Sequence, residues 1–224
     1  MNRSLTLLVT SAYKRVAAKS RMAVLLSLAV AGLFLSACES PEERAAGYLE
    51  SAQVLYDADD LVKAEIDVKN ALQIQPKNSR ARFLLAEINE QRREFQDMAS
   101  NLRAALEDNP DFPAARIKLG KLYAMAGALE LAEEQTALLS DSDRELAEAK
   151  ILQARIVAAK GDLEAAAVYL EEALLLEPAN IEALGLLASV LATTDLDKAL
   201  RLIEQGIASA DDARPLRMLR IQLL

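Results

Sequence analysis

The fold of this chain is decided by a segment between two prolines, which reads from 76 to 110 PKNSRARFLLAEINEQRREFQDMASNLRAALEDNP. Pro76 and Pro110 lie 34 residues apart, and Pro178 lies three such intervals beyond Pro76. Units of this length begin at residues 45, 79, 113, 147 and 181. A fixed period of this kind indicates a stacked repeat, in which each unit buries its apolar face against its neighbours.

Compact side chains recur in phase with these units. The eighth position of the five units carries Ala52, Ala86, Gly120, Ala154 and Ala188. Bulky residues stand close by, such as Leu119 and Tyr123 in the third unit. Small residues let two helices approach, and bulky residues one turn away fill the remaining space. The pattern therefore predicts a pair of packed helices in each unit. The alternative, a generic alanine-rich bundle, would not require small residues at the same position of every unit.

The arrangement of Leu119, Gly120 and Tyr123, together with the period, resembles the tetratricopeptide repeat over about residues 45–208. This resemblance implies an all-α fold, a right-handed α-solenoid of tetratricopeptide helical hairpins, which would follow the signal peptide that the N-terminal sequence predicts. It implies five repeats, at 45–78, 79–112, 113–146, 147–180 and 181–208, and a partial sixth repeat at 209–224. The chain stops on apolar residues, and two explanations stay open: a longer array, or an end that a partner covers.

The predicted turns carry residues that end helices. Within hairpins these are Asp59-Asp60, Gly127 and Gly161-Asp162, and between hairpins they are Pro76, Pro110 and Pro178. Such residues break a helix or cap the next one. The third unit lacks the proline and has the run Ser140-Asp141-Ser142-Asp143 instead. There, Ser142 and Glu145 have the spacing of a capping box at a helix start.

The first 37 residues predict a lipoprotein signal peptide. Basic residues precede an uncharged run from 22 to 35, which is too short to span a bilayer comfortably. The run ends in Leu35-Ser36-Ala37-Cys38, which resembles the bacterial lipobox. The resemblance implies cleavage after residue 37, lipidation of Cys38 and a short acidic tether at 38–44. Glu39, in place of Asp, favours the outer membrane, with the protein facing the periplasm. The alternatives are an ordinary signal peptide and an uncleaved anchor.

Composition excludes several classes of function. The chain has no His and one Cys, which removes the commonest general base and any multi-thiolate zinc site. No phosphate-binding loop or nucleophile motif occurs, and acidic pairs such as Glu133-Glu134 are typical of solvated helix faces. The net charge is −8, and loss of residues 1–37, with five basic side chains, would make it −13. We therefore expect no enzyme activity, no metal or cofactor and no nucleic-acid partner.

The resemblance also implies where a partner would bind. The first helices of stacked tetratricopeptide hairpins line a concave groove that takes a peptide or helix of another protein. The predicted groove residues are Leu49, Gln53, Tyr56, Arg80, Phe83, Glu87, Ile117, Lys121, Ile151 and Arg155. Four of these residues are apolar and share the fifth position of their units: Leu49, Phe83, Ile117 and Ile151. They form either an apolar stripe that contacts the partner or part of the core. The Lys and Asn of a chaperone-binding carboxylate clamp are absent from the corresponding positions.

These features together predict a membrane-tethered scaffold for protein–protein interactions in assembly or export at the bacterial cell envelope. The segments Gln53-Val54-Leu55-Tyr56 and Lys69-Asn70-Ala71-Leu72 behind a lipobox resemble the tetratricopeptide lipoproteins of exopolysaccharide and exosortase (PEP-CTERM) systems. Two alternatives stay open. One is an envelope protein that binds polysaccharide or peptidoglycan, and the other is a component of outer-membrane protein assembly. The sequence does not indicate an oligomeric state.

Overall fold

A computed structural model describes residues 40–209 and 212–224, which form twelve helices and no strand. The helices are α1 (Pro41–Asp57), α2 (Leu61–Ile74), α3 (Ser79–Gln91), α4 (Phe95–Asp108), α5 (Pro113–Met125), α6 (Leu129–Ala137), α7 (Asp141–Arg144), α8 (Ala147–Ala159), α9 (Leu163–Leu176), α10 (Ile181–Leu191), α11 (Leu196–Ser209) and α12 (Arg214–Leu223). Helices α3, α5, α8 and α10 each begin at the first residue of a predicted unit.

Consecutive helices pair as five hairpins, α1/α2, α3/α4, α5/α6, α8/α9 and α10/α11, and each hairpin packs on the next along the chain. The core is accordingly a row of small clusters and not one centre. The compact residues of the eighth position are buried in all five hairpins. In the described residues, the predicted all-α solenoid of tetratricopeptide hairpins is confirmed.

Side chains fix the turns between hairpins. Asn78 caps α3, because its Oδ1 accepts a hydrogen bond from the N–H of Ala81 at 2.9 Å. The arginine at the fourth position of the unit reaches back to the proline turn before it. Arg82 donates to the carbonyl of Pro76 at 2.9 Å, and Arg116 donates to the carbonyl of Pro110 at 2.6 Å. The second and third units therefore have a turn anchor as well as a packing pattern.

The turn inside each of the first four hairpins contains one residue in the left-handed region. Its φ is 61° at Asp59 and at Arg93, 76° at Gly127 and 91° at Gly161. Glycine adopts this conformation freely, whereas it costs about 1–2 kcal/mol for a residue with a Cβ. The chain reverses at the predicted places, and Arg93 shows that the turn forms even where the sequence offers no glycine or aspartate.

The third hairpin departs from the regular pattern. Its second helix, α6, ends at Ala137 after nine residues, whereas the second helices of the other four hairpins have 14. The predicted capping box of Ser142 and Glu145 is wrong. Ser140 takes the capping role two residues earlier, because its Oγ accepts from the N–H of Asp143 at 3.2 Å and starts the four-residue helix α7.

Beside the short α6, α5 packs directly against α8, more closely than the first helices of other neighbouring hairpins approach each other. Gly120 lies at this crossing. A Cβ there would stand 2.7 Å from Cδ2 of Leu152 and 3.3 Å from Cβ of Gln135. The glycine thus serves both the contact within its hairpin and the contact with the next one.

Helix α1 begins earlier than the repeat pattern predicts. Pro41 occupies its first turn, and Ser40 forms a full capping box with Glu43 through hydrogen bonds of 3.1 and 2.7 Å. Helix α1 therefore includes residues 41–44 of the predicted tether at 38–44, because proline and a capping box start the helix four residues before the first unit.

The ends of the chain are described unequally. Residues 1–39, which hold the predicted signal peptide and Cys38, lie outside the described residues. At the other end, α12 packs on α10 and α11. Leu216 of α12 is buried against Gly206, where a Cβ would come within 2.7 Å of Cδ1 of Leu216. Across the described ranges, no helix combines the length and the apolar character needed to cross a membrane.

Candidate protein-binding groove

The predicted groove residues lie on α1, α3, α5 and α8, the first helices of four consecutive hairpins. Arg80 is exposed, whereas partial burial is found at Leu49, Gln53, Tyr56, Phe83, Glu87, Lys121 and Arg155. Ile117 and Ile151 are buried, with 4% and 0% of their surface exposed. The groove is therefore accessible over the first two hairpins and closes toward the fourth.

The accessible part, which we call the open groove, is a cavity of about 430 Å³ between α1 and α3. Its apolar lining includes Leu49, Phe83 and Phe112, and its polar lining includes Gln53, Arg80 and Glu87. The ring of Phe83 is supported by Phe112, with the two centroids 5.0 Å apart and the planes tilted by 49°. Arg80 makes no salt bridge with another described residue. Its guanidinium is available to a carboxylate.

A second cavity of about 490 Å³ continues the groove over α5, with Ile117 in its lining. Lys118 projects here, with its Nζ 2.6 Å from Oε2 of Glu90, 3.6 Å from Oε1 of Glu87 and 5.8 Å from the ring centroid of Phe83. Burial acts to lower the pKa of Lys118, but the two carboxylates outweigh it and raise that pKa. Burial raises the pKa of Glu87, and Lys118 only partly offsets the effect.

The far wall of this cavity is an ion-pair cluster that joins three hairpins. Lys121 of α5 pairs with Glu148 of α8 and, at 2.8 Å, with Glu182 of α10. Nε of Arg155 lies 2.9 Å from Oε1 of Glu182. Burial acts to raise the pKa of Glu182, but the two cations hold it below its usual value. The predicted partner contacts Lys121 and Arg155 are therefore neutralised within the chain.

The predicted apolar stripe does not run the length of the groove. Leu49 and Phe83 line the open groove, but Ile117 packs against α8 and Ile151 against α9 and α10. Ile151 is fully buried, and Ile117 keeps only 4% of its surface exposed at the edge of the second cavity. The structure therefore places both isoleucines in the core, which is one of the two interpretations that the sequence leaves open.

Sequence reasoning missed three residues of the groove. Phe112 precedes α5, outside the first-helix positions from which the groove was predicted. Lys118 stands at the sixth position of its unit, a position that none of the predicted groove residues occupies. Glu182 is the second residue of the fifth unit, and Glu148 is the second residue of the fourth. Following the second position through all units would have found Glu182.

Comparison with known proteins agrees with this architecture. The tetratricopeptide repeat family model matches residues 91–156. Similar solved structures include TTC0263, a thermophilic tetratricopeptide protein of Thermus thermophilus, with a TM-score of 0.69 and 19% identity over 80% of this chain and 98% of that one. The type IV pilus biogenesis factor PilW gives a TM-score of 0.64 and 18% identity over 73% and 76% of the two chains. YrrB, described as having an unusual peptide-binding site, gives 0.52 and 17% over 78% and 89%. No curated protein sequence matches.

The fold and the groove define the class. The chain has the fold of tetratricopeptide-repeat solenoids, and residues 91–156 match the model of that family. What the groove offers is contact chemistry: an aromatic pair, an unpaired guanidinium and a lysine between two carboxylates. Within the described ranges, no group of three or more His, Cys, Asp or Glu is placed to hold a metal ion.

Proposed function

We propose that this chain is a lipid-anchored adaptor of the bacterial cell envelope, which holds a segment of a partner protein in the open groove. The observation that carries the proposal is the Phe83–Phe112 pair beside the unpaired Arg80 in a cavity of about 430 Å³. An apolar side chain of the partner packs on Phe83, while a carboxylate next to it pairs with Arg80. The peptide-binding site attributed to YrrB, which has a similar fold, supports this mode.

The envelope location rests on the N-terminal sequence. Acylation of Cys38 would leave only Glu39 and Ser40 between the lipid and α1, a span of about 10 Å at most when extended. The first hairpin would then lie against the membrane surface, beside partners that are themselves embedded there. Assembly or export of an envelope structure suits such an adaptor. Exopolysaccharide export is favoured by the sequence resemblance, and pilus assembly by the likeness to PilW.

The groove is tested by photo-crosslinking in cells, with the crosslinker placed at Gln53. We expect a defined partner whose yield falls about tenfold with Phe83→Ala or Arg80→Glu. Arg103→Glu is the matched control, because Arg103 is an exposed arginine on α4, away from the groove. Equal crosslinking in all variants would place the partner elsewhere. Binding of purified polysaccharide that Phe83→Ala abolishes would favour the glycan alternative.

The anchor is tested separately by Cys38→Ser. The proposal expects the wild-type chain in the membrane fraction, labelled by a clickable fatty acid, and the variant unlabelled and released from that fraction. A variant that is cleaved and still sediments with membranes would exclude the lipid anchor without affecting the groove.

A further inference from the structure

We infer a second binding surface, outside the groove and independent of it: a cleft between α9 and α11 that binds an amphipathic helix of another protein, with acidic side chains beside its apolar face. The cleft has a volume of about 550 Å³. Five leucines line it, and we call it the leucine cleft: Leu174 and Leu175 of α9, Leu187 and Leu191 of α10, and Leu202 of α11. Its polar lining consists of Glu171, Lys198, Arg201 and Gln205.

The corresponding place in the second hairpin is closed by a polar pair. When the fifth unit is aligned on Ala199, Leu191 and Leu202 occupy the positions of Asn89 and Asn101. Nδ2 of Asn101 donates to Oδ1 of Asn89 at 3.0 Å, which joins the two amides inside the hairpin. The two leucines make no such bond and leave an apolar surface instead. The repeat does not demand leucine at the position of Leu202, where the first three units carry polar residues, whereas the position of Leu191 is apolar in every unit but the second.

The edge of the cleft is also more apolar than the corresponding position of the first three units. Leu175 is the twenty-ninth residue of its unit, a position that holds Gln73, Glu107 and Asp141 in the first three units. It is 83% exposed, and its neighbour Leu176 is 54% exposed. An apolar side chain where the other units place polar ones, directly beside an apolar cleft, marks a surface that is covered in a complex.

Charge defines the chemistry of the occupant. Lys198 and Arg201 lie one turn apart on the α11 wall, and neither forms a salt bridge with any residue that the structure describes. They suit acidic side chains on the partner. Glu171 on the opposite wall suits a basic one.

A helix fits this surface better than a free acyl chain does. Sites for small apolar ligands enclose most of the ligand surface. Here Leu175 stands in solvent at the edge of the cleft, so an acyl chain in the cleft would leave that leucine uncovered. An amphipathic helix is wide enough to fill the cleft with one row of side chains and to cover Leu175 with the next.

The test uses the full-length protein and a fluorescent synthetic helical peptide, with leucines at i, i+3, i+4 and i+7 and glutamates along one flank. Fluorescence anisotropy should show saturable binding that is at least about tenfold weaker with Leu175→Glu or Arg201→Glu. Leu175→Glu installs the residue that the second unit carries at this position and alters an exposed side chain, so the fold should survive it. A peptide with lysines in place of the glutamates should bind more weakly.

Val168→Glu is the matched control. Val168 is 51% exposed on the same helix as Leu175 but does not line the cleft, so this variant should bind as the wild type does. Phe83→Ala should also leave binding unchanged, which separates this surface from the groove. The inference would be overturned if Leu175→Glu bound the peptide as tightly as the wild type does, or if the chain preferred the lysine peptide. Displacement of the peptide by palmitate, or loss of peptide binding when the chain self-associates, would also overturn it.

Discussion

The concave face of this protein has two parts that the repeat pattern does not distinguish. Over the first two hairpins, Leu49 and Phe83 remain partly exposed beside the unpaired Arg80. Over the third and fourth, the same repeat position holds Ile117 and Ile151, which are buried. The charged positions there pair with one another across three hairpins. One repeat position is thus accessible in the first part and packed in the core in the second.

The burial of Ile117 arises from the junction between the third and fourth hairpins, whereas Ile151 packs against α9 and α10. With α6 five residues shorter than the other second helices, α5 packs directly on α8 at Gly120. That contact buries Ile117, and the same side of the solenoid brings Lys121 to Glu182, which is 61 residues away. A repeat position therefore predicts exposure only when the packing of the neighbouring helices is also known.

The largest effect on this comparison is expected from Gly120→Val. The new side chain would meet Leu152 and Gln135 at the α5–α8 crossing and cost about 2–3 kcal/mol of unfolding free energy. Urea denaturation followed by circular dichroism measures the change. Gly47→Ala is the control, because no atom lies within 4 Å of its added Cβ. It should stabilise α1 by about 0.5–1 kcal/mol, and equal losses in both variants would contradict a tight junction.

A smaller loss is expected when the ion-pair cluster is broken. Lys121→Met keeps the aliphatic stem but leaves Glu148 without a cation and Glu182 with Arg155 alone, at a cost of about 1–2 kcal/mol after allowance for their exposed fraction. Lys63→Met removes an exposed lysine that pairs only with Asp60, and it should change nothing measurable. If both variants melt alike, the cluster does not hold the second part closed.

Two glutamates distinguish the parts by their response to pH. The pKa of Glu182 is lowered on folding, so its ionised form stabilises the fold above about pH 4.5, and that contribution is lost as the pH falls toward the lower folded value. The unfolding free energy of Glu182→Gln should therefore be about 1 kcal/mol below that of the wild type at neutral pH and equal to it in acid.

Glu87 should behave in the opposite way. Its pKa is raised on folding, so ionisation above pH 4.5 costs stability. Glu87→Gln should lose no stability at neutral pH, and its unfolding free energy should increase relative to that of the wild type as the pH rises from 4.5. Thermal melts across this range measure both differences, and parallel pH profiles for the two variants would refute the division of the groove.

The smallest expected effects lie in the hairpin turns, where the first part carries Asp59 and Arg93 and the second carries Gly127 and Gly161. Arg93→Gly should stabilise by up to about 1 kcal/mol, because it relieves a left-handed residue that bears a Cβ. Gly161→Ala should destabilise by about 1 kcal/mol through the backbone alone, since nothing lies within 4 Å of the added Cβ. If the two variants shift the denaturation midpoint in the same direction relative to the wild type, this assignment is wrong.

The sequence predicts the hairpins well, because the compact residue of the eighth position and the reversal at the fifteenth are local requirements that recur. It predicts the groove only in part. The burial of Ile117 and Ile151 depends on where the next hairpin lies, and the position of α8 depends on how α6 ends. The capping run around Ser140 gave the wrong register, since several residues in succession there are able to cap a helix.

The central claim is that partners bind over the first two hairpins. It is tested most directly by comparing photo-crosslinkers at Gln53, in the open groove, and at Glu148, in the ion-pair cluster, in intact cells. The account predicts that one partner is captured at Gln53 and that little or none is captured at Glu148. Capture of the same partner at Glu148 alone, or equally at both positions, would contradict it.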